Sequence, residues 1–169
     1  GDMGFELSMF GDLPMLMNAV RDYGSVTDLD NAFRQAIKKK SGKWFGPMSM
    51  LALCGAYSPD PDQPMGVALP FDIETGMLRP KVLERWLQND PVHLIDLASC
   101  QDALRQMHLC FIDCGSRDEH ALHWGALAFH SKLKKAGIEH IYETFDDGHR
   151  STSYRLDRSL PLLYEALSS

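Results

Sequence analysis

The feature that most constrains this chain is a strand–helix–strand pattern between residues 107 and 145. Met107 to Asp113 (MHLCFID) is a short apolar run and reads as a buried strand. Gly115-Ser116 breaks it. Leu122, Ala126, Phe129, Leu133 and Ala136 then recur at spacings of four, three, four and three, one stripe of an α-helix over residues 119–136. Ser116 and Glu119 have the spacing of a capping box, and Gly137 stands where a helix C′ residue belongs. Ile138 to Phe145 (IEHIYETF) alternates and is β-rich, which predicts a second strand. Two strands joined by one crossover helix make a βαβ unit, parallel and right-handed. A turn, Asp146-Asp147-Gly148-His149, follows. Ser151 is placed to cap a last helix with the stripe Leu156, Leu160, Leu163 and Leu167, where Pro161 predicts a kink or a late start.

Residues 1–105 carry no such alternation. Leu13 to Tyr23 and Asp28 to Lys39 read as short amphipathic helices, the second with Asp28 as N-cap and Ser41-Gly42 as stop. Trp44 to Tyr57 is nearly all apolar or small and predicts a buried helix. Pro59, Pro61, Pro64 and Pro70 predict an extended, irregular surface stretch. Lys81 to Gln88 and Val92 to Arg105 return to helix, with Pro91 in a first-turn position. The expected class is therefore α/β, a parallel βαβ unit in the C-terminal half and a helical, Pro-containing N-terminal half. The 169 residues suit one domain, residues 1–169, burying roughly 70% of its unfolded surface.

Charge and hydropathy exclude several partners. Lys and Arg number 17 against 23 Asp and Glu, a net charge of −6. The electrostatic term that dominates nucleic-acid binding would be repulsive. No apolar run approaches the length of a membrane span, and the mean hydropathy is −0.24. No charged and apolar signal-peptide pattern is read after Gly1, and none is expected within these residues. Cys54, Cys100, Cys110 and Cys114 are too few for a disulfide scaffold. On a strand Cys110 and Cys114 stand about 13 Å apart, too far to bridge. Reduced cysteines and a cytoplasmic location are expected. The same separation argues against a zinc site from Cys110, Cys114, His120 and His123, spaced C-x3-C-x5-H-x2-H. Trp124 and Phe129 read as packing residues. Met3, Met9, Met15 and Met17 read as core filler, and Lys38 to Lys40 as a solvated helix end.

In open α/β sheets, ligands sit beyond the carboxyl ends of the strands. There the sequence places Gly115-Ser116-Arg117-Asp118-Glu119 and Asp146-Asp147-Gly148-His149. Loops after neighbouring parallel strands emerge at one sheet edge, so an acid and a histidine can meet. A carboxylate on one imidazole nitrogen fixes the tautomer and leaves the other nitrogen as a general base. Asp118 is the candidate acid, with Asp113 its rival and helix N-terminal charge its plainer role. His149 is the candidate base. Asp146 and Asp147 suit turn formation.

The segment DCGSRDEHALHWGALAFHSKLKKAGIEHIYETFDDGHRSTSYRLDRSLPLL resembles the C-terminal part of an esterase family of α/β-hydrolases. That family includes S-formylglutathione hydrolases (esterase D), feruloyl esterases and enterochelin esterases. Gly115 to Asp118 matches its acid loop, and Asp147-Gly148-His149 its catalytic histidine. GDMGFEL and AYSPDPDQPMGVALPFD are also similar to members of this group. The resemblance implies a partial α/β-hydrolase fold and hydrolysis of carboxylic esters or thioesters by a Ser-His-Asp mechanism, with Asp118 and His149 catalytic. It implies a small-molecule ester substrate and no cofactor or metal.

The family's nucleophile is a Ser in G-x-S-x-G. None of the serines here has Gly two residues before and two after. The expectation is a portion of a domain of roughly 250 residues, inactive alone and lacking the third triad member. Two alternatives stand beside it, a non-catalytic scaffold that kept the fold remnant and one half of a split esterase. Loss of neighbouring strands would expose a sheet edge, so homo-oligomerisation or pairing with a missing N-terminal portion is expected.

Overall fold

The structure, a computed structural model, describes residues 3–36 and 42–168, and for residues 8–10 the backbone alone. The described residues are mixed helix and strand, 61% helical, with one two-stranded parallel sheet among them. The chain divides into two compact units, Gly1–Ser8 with Asp90–Ser169, and Met9–Asn89. The helical and irregular span over residues 1–105 thus contributes to both. The basic run Lys38 to Lys40 lies outside the described residues.

Helices dominate the unit Met9–Asn89. Helix α1 (Phe5–Tyr23), whose first residues belong to the other unit, begins earlier than the sequence pattern suggests and contains Pro14. Helix α2 (Val26–Ala36) follows, then a 3₁₀ turn (Gly42–Trp44) leading into α3 (Phe45–Tyr57). Met50, Leu51 and Cys54 of α3 are buried, while Phe45 is exposed, so that helix is buried on one side only. Met15 is half exposed rather than core, although its Sδ abuts Gly46. The Pro-rich stretch is irregular, pinned by an antiparallel bridge between Pro59 and Val67 and a 3₁₀ turn (Pro64–Gly66). Helix α4 (Pro80–Leu87) carries Trp86, fully buried, whose indole donates to Ser58 Oγ (3.0 Å). Ser58 Oγ in turn reaches Ala68 O (2.8 Å), so the buried indole N–H and hydroxyl are both satisfied.

The other unit holds the sheet. Helix α5 (Pro91–Leu94) and helix α6 (Ala98–Arg105) replace the single helix expected over Val92 to Arg105. The break follows from Leu97, which is extended at the N-cap of α6. Asp90, fully buried, caps α5 through Val92 N (2.9 Å). Its carboxylate also accepts from Gly4 N (2.9 Å) and Phe5 N (2.6 Å) at the start of α1. One carboxylate therefore serves orphan donors of two helix starts.

Strand β1 (Phe111–Gly115), helix α7 (Leu122–Lys135) and strand β2 (Ile141–Phe145) form the βαβ unit. The strands are parallel, with Phe111 opposite Ile141 and Gly115 opposite Phe145. Both are shorter than the apolar runs that predict them. The core of this unit is Ile95, Leu133 and Ile138, with Cys110, Ile112, Phe129 and Ala136 packed against it. Phe129 is thus a packing residue, but Trp124 is 54% exposed and is not. Gly137 ends α7 with φ +64°, the left-handed C′ conformation that glycine adopts without a Cβ clash.

A 3₁₀ turn (Thr152–Arg155) leads into α8 (Leu156–Ser168). Ser151 does not cap by its side chain; its φ is +60°. Arg155 does the anchoring instead. Asp113 and Glu143 stand opposite each other in the ladder, and the Arg155 guanidinium bridges them at 2.9 and 2.7 Å. Helix α8 runs through Pro161. Its stripe of Leu156, Leu160, Leu163 and Leu167 is exposed, since no described element covers it.

Candidate active site

The two strand-end loops meet. Asp118 follows β1 by three residues and His149 follows β2 by four. His149 Nδ1 lies 3.0 Å from Asp118 Oδ2. The Asp118 side chain is 3% exposed and that of His149 46%. Facing a carboxylate oxygen, Nδ1 carries the proton, and the Nε2 lone pair is left available. Asp118 Oδ1 is held from the other side by the backbone N–H of His120 (2.7 Å). The carboxylate is therefore fixed before it meets the imidazole.

Local sequence explains how the loops come so close. A Cβ on Gly115 would stand 2.3 Å from Asp147 O and 2.5 Å from Gly148 O. Only glycine lets the histidine loop lie across the end of β1. A backbone ladder then extends past the strands, with Ser116 N donating to Phe145 O (2.8 Å) and Arg117 N to Asp147 O (3.0 Å). Arg117 also pairs with Asp146 (2.6 Å) between exposed side chains. Asp146 and Asp147 thus shape the loop, Asp147 Oδ1 accepting from Gly148 N (2.8 Å).

The capping box is not formed. Ser116 makes no side-chain cap, and Ala121 occupies the N-cap of α7 in the left-handed region (φ +59°). Glu119 is recruited elsewhere: its Oε2 accepts the backbone N–H of His149 (2.9 Å). That bond holds the Glu119 carboxyl below the ordinary value, helped by nearby His120 and Arg150. The His120 ring meets the His149 ring edge-on, centroids 4.8 Å apart. Glu119 and His120 therefore join the site, although no spacing in the sequence marks either as a neighbour of His149.

Asp113, the rival acid, is taken by Arg155. Cys114 Sγ lies 3.9 Å from Asp118 Oδ2, close enough to suggest a thiol nucleophile. Burial pushes its thiol pKa up, and the charges of Asp118 and Asp113 push it further. It is held as the thiol, which is the unreactive form. Of the residues with zinc-like spacing, Cys110 precedes β1 and packs on the core, while His123 lies on α7. Among the described residues no group of three or more His, Cys, Asp or Glu is placed to hold a metal ion.

A cleft of about 400 Å³ opens beside the pair, with Asp118 and His149 at one end and β1 along it. Met3 also lines it, brought there by the close approach of residues 3–4 to α7. A Cβ on Gly125 would stand 1.9 Å from Met3 O, so glycine is required at that crossing. Comparison with protein-family models and with curated proteins finds no match for this chain.

Proposed function

We propose that this chain supplies the acid and the base of a serine hydrolase acting on carboxylic esters or thioesters. The observation that carries the reading is the 3.0 Å contact between His149 Nδ1 and the buried Asp118 carboxylate, both of which line a cleft. In this reading Asp118 holds the Nδ1–H tautomer and stabilises the imidazolium. His149 Nε2 takes the proton of a serine hydroxyl as it attacks the acyl carbon, then returns it to the leaving group. Fold and function here are those of an α/β-hydrolase. The serine itself is not in a G-x-S-x-G context anywhere in the 169 residues. That fact favours a second reading, a non-catalytic scaffold that retains the dyad.

Treating the native protein, purified from its source, with a fluorophosphonate separates the two. Labelling of a serine beyond the 169 residues, lost on His149→Ala, supports the hydrolase. Absence of labelling, or labelling that survives His149→Ala, rejects it.

A further inference from the structure

Two histidines outside the cleft face each other. His130 lies on α7 and His140 directly before β2, so a contact between them closes the crossover of the βαβ unit. His130 Nδ1 stands 2.8 Å from His140 Nε2, and the ring centroids are 5.0 Å apart, so the rings meet end to end. A metal ion does not fit between them, since two metal–nitrogen bonds of about 2.0–2.1 Å laid end to end need roughly 4 Å. One proton does fit, and the contact is an N–H···N hydrogen bond.

The tautomers follow from the next partner. His140 Nδ1 lies 2.7 Å from Ile138 O, which only accepts, so that nitrogen carries a proton. His140 Nε2 then presents a lone pair, and His130 Nδ1 donates to it. One added proton leaves the bond in place on either ring. On His130 Nε2 it makes the donor a cation. On His140 Nε2 it turns that nitrogen into the donor, once the proton of His130 has passed to its own Nε2. A second added proton removes the last lone pair at the contact and sets two imidazolium ions end to end.

The surroundings oppose that second charge. Burial, then His140 and Lys134, push the His130 imidazole down, so His130 is the ring that takes the second proton. Tyr142 of β2 stacks on the His130 ring, centroids 4.4 Å apart at 19°, and brings no charge, because burial and then Cys114 push its hydroxyl up. The recess beside His140 holds Arg105, His108 and Cys110 against one carboxylate, Glu139. Arg105 is engaged by Asp102 and Ala136 O, and burial keeps Cys110 as the thiol. Helix α5 packs on the side of α7 that carries Lys132, two positions beyond His130 and so facing away from it.

We infer that the His130–His140 bond is an acid-released latch on the α7–β2 crossover, closed with one added proton and opened by the second. The crossover it holds includes the core residue Ile138, whose N–H bonds Leu133 O (3.0 Å), and leads into Ile141, whose N–H bonds Cys110 O (2.8 Å). The latch lies at the opposite end of β2 from His149 and does not depend on the hydrolase reading.

The ¹⁵N-labelled chain is titrated downward from neutral pH. A through-bond coupling between His130 Nδ1 and His140 Nε2 is expected at neutral pH and after the first uptake. The two uptakes should differ at least tenfold in proton affinity, and the second should abolish the coupling. Amide protection at Ile138 and Ile141 should fall at least tenfold with that second uptake, and His130→Gln or His140→Gln should remove the step. Absence of the coupling at neutral pH, uptakes less than tenfold apart, or a smaller fall in protection each overturn the inference. So does an acid step that persists in both variants, which would assign it to another group such as His108.

Discussion

Replacing Asp118 by Asn changes the charge and donor pattern while keeping the shape. The carboxylate accepts from His120 N at 2.7 Å and His149 Nδ1 at 3.0 Å, with the weaker Cys114 thiol donor at 3.9 Å. An amide offers one oxygen and one NH2. The backbone donor cannot be moved, so the oxygen stays with His120 and the NH2 faces His149. The imidazole then keeps a hydrogen bond only by shifting its proton to Nε2, which removes the lone pair a general base needs. A hydrogen bond to a charged group contributes about 1.5–3 kcal/mol and a neutral one about 0.5–1.5. Because His149 is half exposed, the lower part of that difference applies. The expected loss is about 1 kcal/mol, a fall in Tm of roughly 2–4 °C for a chain of this size. Thermal and urea melts measure it. A variant within about 0.5 kcal/mol of the parent, the range of an unremarkable surface change, would refute the claim that Asp118 holds the site together.

Gly115→Ala should cost at least about 2 kcal/mol or displace the His149 loop, since its Cβ meets backbone oxygens at 2.3 and 2.5 Å; melts and the His149 amide shift report it. Gly125→Ala should detach residues 3–8 from α7 despite alanine's better helix propensity, and limited proteolysis near Phe5 should accelerate. Asp90→Ala leaves three backbone donors without their carboxylate, and a loss of about 2–4 kcal/mol is expected by denaturant titration. On the pH axis, Arg158 and then Arg155 hold the Glu143 carboxyl below its ordinary value. A depressed carboxylate adds stability above its unfolded value and loses it as pH falls through the folded one. Arg155→Gln with Arg158→Gln should therefore flatten the acid limb of the stability curve below about pH 5. The opposite group type behaves alike here. Burial, then His140 and Lys134, push the His130 imidazole down, so stability falls as pH drops from about 6.5 towards its lowered value, and His130→Asn should remove that step.

What was legible in the sequence was local. The apolar run, the stripe from Leu122 to Ala136 and Gly137 mark β1, α7 and its end because each is a repeat or a terminus within one element. The loops carrying Asp118 and His149 were legible because parallel neighbours must empty onto the same edge. Long-range polar pairing was not. Arg155 lies 42 residues from Asp113, and His130 Nδ1 lies 2.8 Å from His140 Nε2 across the α7–β2 turn, with no spacing rule for either. Glu119 sits at a capping-box position, yet the His149 amide claims its carboxylate. The leucines of α8 show the same limit: periodicity names the face, and only the surrounding elements decide whether it is covered.

The dyad is tested most directly by the tautomer of His149 in the unaltered chain, read from long-range ¹H–¹⁵N spectra at a pH where imidazoles are neutral. The proton is expected on Nδ1, with Nε2 showing the shift of a bare lone pair, and Asp118→Asn is expected to reverse the two. A proton on Nε2 in the unaltered chain, or an average over both nitrogens that ignores Asp118→Asn, would contradict the assignment of His149 as a carboxylate-oriented base.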